Sequence, residues 1–266
     1  MKISLAQLDV KRGDPSHNLD LIRRAAQQAS ALGSDLVCLP EMVSTGFDWR
    51  RNRELLPSSH EHHREVANLA KAHNIAVCGS FLEQSASGGA CNTLLYFDQA
   101  GNLLAKYRKI YLFTLFREDR HVEPGEDFVV RDIQHCRAGF AICYDLRFPE
   151  LFRKNTELGA EIQILPAAFP YPRLEHYRTL VSARAIENQC FFIAVNQSGV
   201  EGHGESVGST RYFGHSMVVD PWGEVLAEAD DSPQLLTVEI DLSRVGKTRS
   251  KMTVLNDRRP ELYDAG

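Results

Sequence analysis

Three side chains able to do chemistry stand where short apolar runs stop, far apart along the chain. Cys143 follows Phe140, Ala141 and Ile142 and precedes Tyr144, Asp145, Leu146, Arg147, Phe148, Pro149 and Glu150. Glu41 follows Leu39 and Pro40, and Lys109 lies between Arg108 and Ile110. Taken singly, each has a plainer explanation as a buried thiol, a helix cap or a solvated charge. Taken together, they form a set that can cleave an amide. A strand delivers Cys143 to a helix start opened by Pro149 and Glu150, and that position is expected to lower the thiol pKa and leave the sulfur reachable. Glu41 would take the thiol proton and pass it to departing ammonia. Lys109 and the backbone N–H of Tyr144 would bind the oxyanion of the tetrahedral intermediate, and water activated by Glu41 would hydrolyse the thioester.

Groups so distant in sequence need a fold that aims several strand ends at one place. Ile3 to Leu8 reads as a strand, and Leu19, Ile22, Ala25, Ala26 and Ala29 recur at helical spacing up to Gly33. Asp35 to Leu39 is a second strand, which makes a βαβ unit with parallel strands and leaves Glu41 at the carboxyl edge, where α/β sheets bind ligands. A helix over Glu61 to His73 and a strand over Ile75 to Leu82 follow. Cys91 to Phe97 and Leu103 to Tyr107 then form a hairpin around Gly101. The loop from Leu112 to Pro124 is long enough to suggest function.

The second half repeats the style. Phe128 to Arg131, Ala138 to Ile142, Glu161 to Leu165 and Cys190 to Val195 read as strands, with helices over Pro149 to Leu158 and Arg173 to Glu187. The tail, Phe213 to Val219, Val225 to Ala227 and Leu235 to Ile240, is antiparallel in character. No linker interrupts the pattern. The expected architecture is α/β, a single domain over residues 1–266 built as a four-layer α-β-β-α sandwich, with two mixed sheets inside and helices outside.

Composition narrows the classes. A net charge of -5 leaves no basic footprint, so no nucleic-acid partner is expected. The start lacks the apolar segment of a signal peptide and no run reaches membrane-spanning length, which points to a cytoplasmic protein without a membrane partner. Six cysteines without a CxxC pair read as reduced thiols. His60, His62 and His63 have no second ligand cluster, so zinc is unsupported. Gly202, His203, Gly204 and Gly208 imitate a phosphate loop only superficially, because no strand and helix flank them. His215 is the candidate partner in a second reading of Cys143, that of a thiol protease, which leaves Glu41 and Lys109 unexplained.

The chain resembles the nitrilase superfamily, the carbon-nitrogen hydrolases with a Glu-Lys-Cys triad. Pro40-Glu41 before Thr45-Gly46-Phe47, Arg108-Lys109 before Leu112-Phe113, and Cys143-Tyr144-Asp145 before Arg147-Phe148-Pro149-Glu150 match its three motifs in order. Further similarity runs through Ala183 to Gln189, Val195 to Gln197 and Gly214 to Gly223. The resemblance implies an α-β-β-α sandwich, assembly as homodimers or larger homo-oligomers, and no metal or organic cofactor. It also implies that Glu118 is the family's second glutamate, which helps position substrate and lysine.

Pro170-Tyr171-Pro172-Arg173, followed by His176 to Leu180, is most similar to the omega-amidase branch, which hydrolyses the terminal amide of 2-oxo dicarboxylic acid monoamides. Such a small-molecule substrate carries a carboxylate remote from the amide, which a guanidinium fork would hold. Arg173 is the expected clamp, with Phe113, Tyr144 and Phe169 as apolar pocket walls. Deaminated glutathione, N-carbamoyl compounds, aliphatic amides and nitriles are the other substrate classes the resemblance allows. A non-catalytic binding module on the same fold is the reading of a different class, and the complete triad argues against it.

Overall fold

The chain builds two six-stranded mixed sheets that pack face to face, the first from five strands of the first half and the last strand of the second, the other from the second half alone. The computed structural model describes residues 1–134, 136–201 and 209–262, so the stretch around Gly202 to Gly208 lies outside the described residues. The first half runs β1 (Lys2–Gln7), α1 (Pro15–Ala31), β2 (Leu36–Cys38), α2 (Trp49–Leu55), α3 (Ser59–His73), β3 (Ala76–Gln84), β4 (Ala90–Phe97) and β5 (Leu103–Arg108). The second runs β6 (Val130–Ile133), β7 (Cys136–Phe140), α4 (Pro149–Glu157), β8 (Ile162–Ala167), α5 (Leu174–Asn188) and β9 (Phe191–Asn196). It continues as β10 (Ser198–Glu201), β11 (Thr210–Phe213), β12 (Met217–Val219), β13 (Val225–Glu228), β14 (Gln234–Glu239) and α6 (Ser243–Lys251).

Strand order is β14-β1-β2-β3-β4-β5 in one sheet and β13-β12-β9-β8-β7-β6 in the other. In each sheet three parallel strands, β1-β2-β3 or β7-β8-β9, are flanked by antiparallel ones. Alternation along the strands sets the layers. Leu5, Cys38, Cys78 and Tyr96 share one buried cluster with Phe140, Ile164 and Ile193 of the other sheet. The neighbouring residues Ala6, Val37, Val77 and Leu95 face outward into a second cluster with α1 and α3. The result is an α-β-β-α sandwich.

Local chemistry explains the elements. Asp14 caps α1 by accepting from the His17 N–H at 3.0 Å, and the helix buries Leu19, Ile22, Ala25, Ala26 and Ala29. α3 ends where Asn74 turns left-handed at φ 50. The expected strand over Phe213 to Val219 is instead two strands, because Gly214 and His215 both adopt positive φ, 69 and 54, and break the ladder. β11 then pairs with β10 rather than with the sheet. α2 and α6 escaped sequence reading because they are short and polar: α2 buries only Asn52, and α6 only Val245 and Thr248.

Two backbone contacts register the sheets at the edge where their parallel strands end. The Glu41 N–H donates to Ala167 O at 3.3 Å, and the Ser198 N–H to Leu8 O at 3.0 Å. The carboxyl ends of β2, β7 and β8 therefore converge. β5, antiparallel to β4 and so parallel to β3, ends at the same edge.

Candidate active site

At that edge the structure gathers Glu41, Lys109, Glu118 and Cys143. Glu41 follows β2, Lys109 follows β5, Glu118 opens a 3-10 turn (Glu118–Arg120), and Cys143 opens another (Cys143–Arg147) after β7. Lys109 Nζ donates to Glu41 Oε1 at 2.8 Å and to Glu118 Oε2 and Oε1 at 2.8 and 3.0 Å. All three side chains are nearly inaccessible to solvent. Burial opposes the Lys109 charge, but Glu118 and Glu41 outweigh it and hold the ammonium well above the usual lysine range.

The thiol of Cys143 is hydrogen-bonded to Glu41, and its sulfur accepts the Ala168 N–H. Here the expectation of a lowered thiol pKa fails. Burial, and then the Glu41 charge, push the thiol well above its ordinary value, against Lys109 and Ala168. A helix-start position is favourable to a thiolate, but two buried sheets and an adjacent carboxylate outweigh it. At rest Cys143 is a thiol with the Glu41 carboxylate in contact. Cys143 itself sits at φ 45 and Met42, beside Glu41, at φ 47, both in the left-handed region that ordinary side chains avoid.

Two further residues brace the set, and neither stood out in the sequence. Asn92, on β4, donates from Nδ2 to Glu41 Oε1 at 2.8 Å and to Glu118 Oε1 at 3.1 Å, while its own oxygen accepts from Ser80 Oγ at 2.6 Å. Asp145 accepts from Tyr107 Oη at 2.7 Å, the Ile142 N–H at 2.8 Å and the Tyr111 N–H at 2.9 Å. It thereby ties the Cys143 turn to the strand and loop on either side of Lys109. Burial raises the Asp145 carboxyl to about 7 despite these donors. An amide on an alternating strand and an acid in a polar turn look ordinary until the partners are assembled.

The site opens into a cavity of about 320 Å³. Phe113, Tyr144, Phe169 and Arg173 all line it, together with Arg147, Tyr212 and Glu201. The Phe113 and Tyr144 rings meet with centroids 4.7 Å apart, and the Arg173 guanidinium lies 5.8 Å from the Phe113 ring centroid. Among the described residues no carboxylate lies within ion-pair distance of Arg173. The loop from Leu112 to Pro124 forms one wall through the 3-10 turns Thr114–Phe116 and Glu118–Arg120, and the Phe113 N–H fixes Glu118 Oε2 at 2.7 Å. The first N–H groups of the Cys143–Arg147 turn, Tyr144 among them, precede its hydrogen-bonded residues, so turn geometry leaves them free for an anion. His215 does not reach the thiol: its Nδ1 meets Glu228 Oε1 at 2.8 Å and Arg178 Nη2 at 3.2 Å. Among the described residues no cluster of three or more His, Cys, Asp or Glu side chains has the geometry of a metal site.

A thiol, a contacting carboxylate and a buried ammonium at the strand-end edge of an α-β-β-α sandwich define a hydrolase of the nitrilase type. The carbon-nitrogen hydrolase family model matches residues 2–250, and the chain belongs to that family. It is 33% identical to a 2-oxoglutaramate amidase from Bacillus subtilis over 98% of each chain. It is 36% identical to a 2-oxoglutaramate amidase from Paenarthrobacter nicotinovorans, over 99% of this chain and 92% of that one. An omega-amidase from Homo sapiens is 31% identical over 98% and 96%. Among solved structures, an amidase from Nesterenkonia sp. AN1 superposes with a TM-score of 0.88 at 28% identity, over 99% and 98% of the chains, in a mutant where acrylamide has added to the active-site cysteine.

Proposed function

We propose that the protein is an omega-amidase, hydrolysing the terminal amide of 2-oxo dicarboxylic acid monoamides such as 2-oxoglutaramate. The observation that carries this reading is the Cys143 thiol in contact with Glu41, in a cavity whose wall presents the Arg173 guanidinium, which has no ion pair among the described residues. The full-length similarity to 2-oxoglutaramate amidases supports the same substrate class.

In this reading Glu41 takes the thiol proton as the sulfur attacks the amide carbonyl. The oxyanion forms against Lys109 Nζ and the Tyr144 N–H, and removing one such donor typically costs about 10²–10³ in rate. Glu41 then gives its proton to the nitrogen, the C–N bond breaks, and ammonia leaves a thioester on Cys143. Water, deprotonated by Glu41, attacks the thioester carbonyl, and the thiolate leaves and regains its proton. Glu118 holds Lys109 in place throughout. Arg173 clamps the distal carboxylate, and Phe113, Tyr144 and Phe169 pack the carbon chain.

The enzyme works in the cytoplasm as one domain per subunit, and as a homodimer. Exposed Trp222 and Ile186 support the dimer, because Gly223, next to Trp222, sits against the Ile186 side chain and so brings the two into one apolar patch for a second copy to cover. No helix among the described residues is long and apolar enough to cross a membrane.

The test is ammonia release from 2-oxoglutaramate, with mass spectrometry for an acyl adduct on Cys143. Cys143→Ala should abolish both. Arg173→Ala should raise KM for 2-oxoglutaramate about 10- to 100-fold, the value of one or two charge-assisted hydrogen bonds, and leave a short uncharged amide unaffected. Equal losses on the two substrates would remove the clamp, and equal ammonia release by wild type and Cys143→Ala would remove the mechanism.

A further inference from the structure

Tyr212 and Glu201 line the cavity, yet the mechanism above gives them no task. Both are buried, 4% and 9% exposed. They belong to the β10–β11 hairpin, which closes the cavity on the side of the Ala168 to Pro170 segment: Tyr212 bridges to Pro170, and the Phe213 N–H donates to Phe169 O at 3.4 Å. That same segment supplies the Ala168 N–H that reaches the Cys143 sulfur. The hairpin therefore packs against the segment after β8 that touches the Cys143 sulfur, whereas Lys109 follows β5 in the other sheet.

The phenol has a single proton, and it is already committed. Tyr212 Oη donates to Glu201 Oε2 at 2.5 Å, a short charge-assisted bond, and Glu201 Oε1 accepts the Phe47 N–H at 3.3 Å. Burial, then the nearby charges of Glu201 and Glu41, keep the phenol protonated well above its ordinary range. Tyr212, which lines the cavity, thus has only lone pairs left to offer a bound group. The carbonyl oxygen and the amide nitrogen of a bound substrate point about 120° apart, by ordinary trigonal geometry at an sp² carbon. With the oxygen at Lys109 and the Tyr144 N–H, the nitrogen must stay within reach of Glu41, which protonates it, and an N–H is left over for another wall of the cavity.

We propose that Tyr212, held by Glu201 as an obligatory acceptor, receives an N–H of the scissile primary amide and so selects amides over esters and nitriles, which carry no such donor. Tyr212 contacts the substrate, and Glu201 is a positioning residue that acts through it. No proton moves through the pair; the one delivered to nitrogen comes from Cys143 by way of Glu41. The inference rests on the amidase reading and adds the choice of leaving group to it.

The experiment compares 2-oxoglutaramate with the methyl ester of the same acid, scoring ammonia or methanol. Both form the same thioester, so kcat/KM reports the step in which the leaving group departs. Tyr212→Phe should lower the amide-to-ester ratio of kcat/KM about tenfold, the value of one hydrogen bond. Glu201→Gln should lower it in the same direction, because its amide N–H can donate to the phenol oxygen and turn the phenol proton toward substrate. A ratio unchanged in both variants would overturn the proposal, since a merely structural role lowers both activities together. If wild type spares 2-oxoglutaramate, the substrate reading falls; the pair propionamide and methyl propionate then applies the same ratio to Tyr212 without any acyl clamp.

Discussion

Replacing Glu118 by Gln tests the electrostatics of the site at nearly constant shape. Glu41 Oε1 and Glu118 Oε2 each lie 2.8 Å from Lys109 Nζ, so these oxygens are at most twice that distance, 5.6 Å, apart. At an effective dielectric of about 20, two negative charges at that separation repel by about 3 kcal/mol. Moving the thiol proton onto Glu41 carries that charge to the sulfur, farther from Glu118, so Glu118 makes the transfer more favourable by at most that amount. If about half of it is felt in the transition state, Glu118→Gln lowers kcat about tenfold. Its carbonyl oxygen can still accept from the Phe113 N–H and from Lys109, so KM should change little, while its NH2 would face the Asn92 and Lys109 donors that Glu118 Oε1 now accepts, so the melting temperature should fall by a few degrees. The assay is steady-state ammonia release, with thermal unfolding as the control on folding. Full kcat in the variant would refute the reasoning. So would a raised KM at unchanged kcat, because Glu118 would then be a binding group.

Asn92→Asp places a third carboxylate between Glu41 and Glu118 and removes both Nδ2 bonds; about 3 kcal/mol of stability should be lost at pH 7, read by urea unfolding, and wild-type stability would contradict the bracing role. Asp145 gives a pH dependence: its carboxyl is raised from 3.8 to about 7, so between those values the native chain holds a proton the unfolded chain has released, and this contribution to stability falls as pH rises. Between pH 5 and pH 8 wild type should therefore lose about 2–3 kcal/mol relative to Asp145→Asn, and a gap independent of pH would exclude the shift. Gly139→Ala should destabilise by about 1–3 kcal/mol on thermal melting, because its Cβ would lie 2.5 Å from Gln163 Oε1 and 2.8 Å from Asn155 Nδ2, two buried groups bonded to each other at 3.0 Å; an unchanged melting temperature would mean that the pair moves aside freely.

The chain wrote its layers in local periodicity. Alternation at Val37 and Cys38 sorts one residue to each face of a sheet, and the spacing of Leu19, Ile22 and Ala26 covers the outer face with a helix. Strand ends marked by Pro40 and by the turn at Cys143 put Glu41 and Cys143 on the ligand-binding edge, and the motifs around them, with that at Lys109, carried the family resemblance. Less was legible where a few residues broke the pattern. Positive φ at Gly214 and His215 splits an apolar run that reads as continuous, and polar α2 and α6 lack a stripe to detect.

Residue type and strand-end position by themselves determined which groups could act, because both are local properties of the chain. Only the tertiary structure decided how those groups are charged and braced. Lys109 meets Glu41 across 68 residues, and Asn92 meets Glu41 across 51, through strand register that no local signal encodes. The thiol's upward shift, the near-neutral Asp145 and the phenol turned toward Glu201 likewise arise from burial between two sheets and from charges brought alongside. Proton affinity depends on the dielectric and the neighbours at a point in space, and those exist only once the sheets have closed.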